Sequence, residues 1–163
     1  MLTKNARQKL MEIFGFSSWP EFKSWLKEST RPFPYTITWK AIAKGKKIKG
    51  GECIHAVAIK DDPAVDNACV FESYTYIKFK GSPYIFRYRT STEARNDIQI
   101  FDITSQTDME QGDVFIAEPM SLARSRDYSN NRRAQIKAGA WIVNPRGPNT
   151  NMRRTQQHHY RPY

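Results

Sequence analysis

The sequence predicts an α+β domain: an N-terminal helical pair packed on an antiparallel β-sheet or small barrel, followed by a basic C-terminal arm. Three observations lead there. Apolar residues at helical spacing run through residues 3 to 29, short β-rich runs broken by Gly, Pro, Asp and Asn fill residues 35 to 117, and beyond residue 118 acid almost vanishes while arginine accumulates. At 163 residues and 19.0 kDa the chain suits a single domain over residues 1–143 plus a tail over 144–163, and it is long enough to bury a core without disulfides or metals.

Each element has its own signal. Ala6, Leu10, Ile13 and Phe14 fall at i, i+4, i+7 and i+8, which predicts an amphipathic helix from about Thr3 to Phe14, ended by Gly15. Ser18-Trp19-Pro20-Glu21 fits a capping box with Pro20 in the first turn, and Phe22, Trp25 and Leu26 then line one face of a second helix. This pair is expected to cap a sheet. After Arg31-Pro32-Phe33-Pro34 the expected strands are Tyr35 to Ala43, Cys53 to Lys60, Ala68 to Lys80, Tyr84 to Thr90, Asp97 to Ile103 and Asp113 to Ala117. A basic segment covers 119–143, with a helix expected through Asn130 to Ala138 and an apolar anchor at Trp141, Ile142 and Val143. The remainder has too little apolar content to fold alone and reads as a mobile tail.

The formal charge is +10, with a pI near 9.7. It is unevenly spread: residues 1–118 hold 17 Lys/Arg against 15 Asp/Glu, while residues 119–163 hold 9 against Asp127 alone. Solubility alone gives no reason to place a net +8 in the last quarter of the chain, and eight of those nine cations are arginines, whose forked guanidinium grips phosphate. Only Cys53 and Cys69 are present, without zinc-site spacing, and the first residues lack the apolar run of a signal peptide, so an intracellular protein, cytoplasmic or nucleoid/nuclear, is expected. No run approaches the length of a membrane span, and no membrane partner is expected.

The most informative stretch is Tyr74 to Arg89, YTYIKFKGSPYIFRYR. A turn at Lys80-Gly81-Ser82-Pro83 pairs Ile77 with Phe86, Tyr76 with Arg87 and Tyr74 with Arg89. Alternation then sends Ile77, Phe79, Tyr84, Phe86 and Tyr88 to a core and Tyr74, Tyr76, Lys78, Lys80, Arg87 and Arg89 to an outer face. Rings and cations on one face can hold a nucleic-acid strand by stacking and phosphate contact, although cross-strand cation-π pairing on a solvated face uses the same residues. Lys80 to Phe86 resembles part of the Lys-Gly-aromatic signature of the RNA-recognition motif, but Ser82 and Pro83 depart from it and the chain lacks that fold's strand-helix-strand repeat, so no base-stacking position is carried over.

AKGKKIKGG, from Ala43 to Gly51, reads as a flexible loop between two strands that gathers Lys44, Lys46, Lys47 and Lys49, without P-loop spacing. In the C-terminal part, Arg124, Arg126, Arg132, Arg133, Lys137, Arg153 and Arg154 are the phosphate candidates. His55, in the apolar run CIHAVAI, reads as a core histidine. Asp61, Asp62 and Asp66 read as turn-forming acids, and neither a metal nor any other cofactor is expected.

The expected function is nucleic-acid binding with little sequence preference, DNA favoured over RNA because an Arg-rich arm can track a backbone or enter a minor groove. Two alternatives use the same residues. One is a small metal-independent ribonuclease with His55 and Glu72 as acid and base and Arg87 or Arg89 stabilising the transition state. The other is a regulator that binds an acidic protein of the transcription machinery.

Overall fold

The computed structural model describes residues 2–120. The basic helix expected over Asn130 to Ala138, the Trp141 to Val143 anchor, the tail and the arginine candidates from Arg124 to Arg154 with Lys137 lie outside the described residues.

The described chain is α+β, with two helices before and three helices between the strands of a curled, mainly antiparallel sheet. Helix α1 (Lys4–Phe14) starts at Thr3, whose hydroxyl accepts from Ala6 N, and stops at Gly15, where φ is 78° and a glycine is the residue that turns without strain. Helix α2 (Trp19–Trp25) is capped by Ser18, which accepts from Glu21 N at 3.3 Å. The second half of the expected capping box is not made: the Glu21 carboxylate accepts from the Ser17 hydroxyl instead. The chain then passes straight into strand β1 (Leu26–Glu28), which runs parallel to β5 (Ile85–Arg89), so the second helix is shorter than residues 18 to 29 suggest.

Strand β2 (Phe33–Thr36) pairs with β6 (Val114–Pro119), and β3 (Val65–Val70), β4 (Tyr74–Phe79) and β5 form a meander in the order β2-β6-β5-β4-β3. The run Ala68 to Lys80, expected as one strand, is two strands joined at Phe71-Glu72-Ser73, where Phe71 N donates to Tyr74 O at 2.9 Å. The β4–β5 register is the one expected: Tyr74 opposite Arg89, Tyr76 opposite Arg87, and Ile77 opposite Phe86.

Three expected strands are wholly or partly helical. Tyr35 to Ala43 is extended only to Thr36; Thr38 then caps α3 (Trp39–Lys44) by accepting from Ala41 N. Cys53 to Lys60 contains α4 (Ile54–Lys60), and Asp97 to Ile103 lies inside α5 (Thr92–Thr104), which Ser91 caps through Ala94 N. In α4 the cause is burial on nearly every side: Ile54, His55, Ala56, Ala58 and Ile59 are all buried, so the segment shows no helical alternation of polar and apolar residues.

The sheet is covered on both faces. On one, Ile77, Tyr88, Val70 and Phe115 join Ala41, Ile54, Ala58, Ile59, Ala94 and Ile98 from α3, α4 and α5. On the other, Cys69, Tyr76 and Ile85 meet Leu10 and Phe22 from the helical pair, with Trp19 stacked on Phe22 at 5.0 Å and Phe16 edge-on to it at 5.5 Å. The Asn67 side-chain amide donates to Ile13 O at 2.8 Å and ties the end of α1 to β3.

Candidate nucleic-acid interface

The segment carrying Lys44, Lys46, Lys47 and Lys49 joins two helices rather than two strands, and it is anchored rather than a free tip. Gly45 ends α3 where the next helix comes close: a Cβ there would lie 2.3 Å from Ile54 Cγ1 and 2.8 Å from Ile54 N. Lys46 N donates to Glu52 O at 2.7 Å, and Glu52 N and Cys53 N both donate to Lys49 O. Ile48, held at φ 61°, donates its N–H to Asp102 Oδ1 of α5 at 2.8 Å, and Gly50 O accepts from Val70 N of β3 at 2.7 Å. Cys53 caps α4 through its sulfur, and burial pushes its thiol up to about 11.

These anchors open a groove of about 730 Å³ between α3 and α4, lined by Lys40, Ala43, Lys44, Lys46, Val57 and Lys60. Two carboxylates share it. Asp61 takes Lys40 at 3.1 Å and also accepts from the Thr38 hydroxyl, which joins the start of α3 to the end of α4. Glu52 takes Lys46 at 3.4 Å and Lys49 at 3.5 Å, and chiefly the Lys46 hydrogen bond lowers its carboxyl below the usual value. Lys60 donates to Gly51 O at 2.6 Å and Lys47 to the Ser105 hydroxyl at 2.8 Å. The Glu52 pairs with Lys46 and Lys49 are exposed on both sides and screened by solvent, so a phosphate oxygen can replace that carboxylate at little cost, whereas Asp61 beside Lys40 is only 17% exposed. Trp39, which precedes the groove residue Lys40 in the chain, is 70% exposed.

Trp39, Lys40 and Lys60 escape a reading that treats their segments as strands. A count by segment does find them: residues 39–61 hold six Lys against Glu52 and Asp61, a net +4, whereas residues 1–118 together net only +2. The rest of that body is therefore slightly acidic.

The β4–β5 face does not form the expected outer platform. Tyr76 is fully buried beneath Phe22 of α2, with Phe71 edge-on to it, and burial pushes its hydroxyl up to about 12 despite the neighbouring Arg87 guanidinium. The helical pair covers the face predicted to be open, because the aromatic stripe Phe14, Phe16, Trp19 and Phe22 needs apolar sheet surface, and Tyr76, Ile85 and Cys69 supply it. Tyr74 is half-buried with Arg87 over its ring at 5.0 Å; Arg87 also pairs with Glu28, and Lys78 pairs with Asp66 at 3.3 Å. Lys80 and Arg89 are exposed at the two ends of this face. The structure thus brings Tyr74, Tyr76 and Arg87 together, but as the packed rim of the second core.

His55 is 1% exposed, wedged edge-on against Phe115 at 4.7 Å, and its Nδ1 shares a 2.7 Å hydrogen bond with the Tyr35 hydroxyl. Burial, reinforced by Cys53, Asp97 and Glu93, raises the Tyr35 hydroxyl well above its ordinary value. Glu72, the other member of the expected acid–base pair, is exposed and accepts from Gln99 at 3.2 Å. Asp62 accepts from Ala64 N, a turn role. Among the described residues no group of three or more His, Cys, Asp or Glu is placed to hold a metal ion, and no helix is long and apolar enough to cross a membrane.

Comparison of the chain with family models, curated proteins and solved structures gave no match.

Proposed function

We propose that this protein binds nucleic acid with little sequence preference, through two separate basic elements: the α3–α4 lysine groove and the arginine-rich residues 119–163. The observation that carries the reading is where the charge sits. Segment 39–61 at net +4 and residues 119–163 at net +8 together exceed the whole chain's +10, so everything else is acidic on balance. Such focusing creates a local field for a polyanion, where an even spread would serve solubility alone. Lysines along a groove grip phosphates and read no base edge, which accounts for the low sequence preference. The arginines of the C-terminal part favour DNA, whose backbone or minor groove they can follow.

The test is a binding titration of the full chain against a DNA duplex and a single strand over a range of salt. Binding by phosphate neutralisation gives a log affinity that falls linearly with log salt, by about 0.7 to 0.9 per phosphate contact. No binding at low salt, or an affinity indifferent to salt, overturns the reading.

A further inference from the structure

We infer that the α3–α4 groove is a single-strand site, in which an unpaired base stacks on Trp39 while the backbone follows Lys40, Lys44, Lys46 and Lys60; this rests on the nucleic-acid reading above. Trp39 carries the argument. An indole gives a folded protein a large apolar area to bury, yet at 70% exposure this one is left in solvent, while Ala41 at 0% exposure does the packing for α3. Ala43, one turn on along α3, lines the groove, so Trp39 shares the helix face that borders it.

The lysines sit where a strand leaving that ring would run. Lys40 and Lys44 are one helical turn apart, about 6 Å along the axis, on the ridge beside Trp39. Lys46 lies just beyond the end of α3 and Lys60 at the end of α4, so the cations border the channel from both helices. Glu52 and Asp61 lie among them, which leaves the groove a net +2. A volume of about 730 Å³ leaves room for a base with its sugar and phosphate. Lysines do not distinguish one form of nucleic acid from another. An exposed indole does, because it stacks on a base only when the base face is free, and in a duplex neighbouring pairs cover those faces.

The experiment titrates the full chain, the parent and Trp39→Ala and Trp39→Phe, with oligothymidylate, oligouridylate and a DNA duplex at fixed salt, following affinity and tryptophan fluorescence. The expected result is an affinity loss of about tenfold or more for both single strands in Trp39→Ala, a change under about twofold for the duplex, and recovery of much of the loss in Trp39→Phe. Single strands are also expected to quench the parent's fluorescence and to lose most of that quench in Trp39→Phe. That second readout keeps the test decisive if the alanine variant fails to fold. A parent that binds but whose single-strand affinity and quench are untouched at Trp39, or whose duplex affinity falls equally, overturns this inference and leaves the nucleic-acid reading standing. A parent that binds none of the three overturns both.

Discussion

Replacing Tyr76 by Ala should cost this fold much of its stability. The ring is fully buried, with Phe22, Phe71, Leu10, Cys69 and Ile85 around it, and it joins the sheet to the helical pair. Deleting a buried aromatic ring removes its transfer energy and leaves a cavity, together about 3 to 5 kcal/mol, against a typical total stability of roughly 5 to 15 kcal/mol. With a urea slope of about 2 kcal/mol per molar, the unfolding midpoint should fall by roughly 1.5 to 2.5 M. Tyr76→Phe keeps the ring and removes a buried hydroxyl that makes no hydrogen bond, so a change within about 0.5 kcal/mol of the parent is expected. The assay is urea unfolding followed by circular dichroism, with nucleic-acid affinity of the still-folded Phe variant as the companion measurement; that affinity should match the parent's. An alanine variant within about 0.5 kcal/mol of the parent, the range of a surface substitution, would refute the covered face.

Gly45→Ala should lower the melting temperature, because a Cβ would press on Ile54 at 2.3 Å and on its backbone N at 2.8 Å, an overpacking of about 1 to 3 kcal/mol; an unchanged melting curve would mean that α3 and α4 are less closely packed. Cys53 and Cys69 are buried and their thiols are raised by burial, so a thiol reagent at neutral pH should label them only as the chain unfolds, and fast labelling of the native protein would contradict their burial. Tyr76 is raised from its ordinary 10 to about 12, and Tyr35 and Tyr88 are raised too; a group raised on folding supports the fold fully below its unfolded pKa and loses that support as pH climbs through the folded one. Stability should therefore fall between about pH 10 and 12, with tyrosinate absorbance appearing together with loss of structure rather than before it.

The legible parts of this fold are those fixed by local chemistry. Thr3 and Gly15 bound α1, Ser18 starts α2, and the Gly81 turn sets the β4–β5 register, because caps and turns act through residues a few positions apart. The α5 helix was also within reach: Ser91 as its cap and Ala94, Ile98 and Phe101 at i, i+4 and i+7 are a helical signature inside a segment that β-branched residues make look extended. Helix α4 was not, since a segment buried on nearly every side carries no periodicity to read. The faces of β4 and β5 follow from alternation, but what covers a face is a long-range fact. Ile85 was the available clue, an apolar residue alternating with Arg87 on the supposedly outer face and now buried beside Tyr76. The lysine cluster was visible as composition; its groove and the exposed Trp39 depend on α3 being a helix.

The most direct test of nucleic-acid binding through the lysine groove is the salt dependence of full-chain Lys40→Gln/Lys44→Gln against the parent. Both lysines are exposed, one turn apart on α3, and neither belongs to the core, so the variant should fold as the parent does. If each contacts a phosphate of a bound single strand, the slope of log affinity against log salt should shrink by about 1.4, or about 0.7 for each contact. A variant that binds with the parent's affinity and the parent's slope would contradict the account.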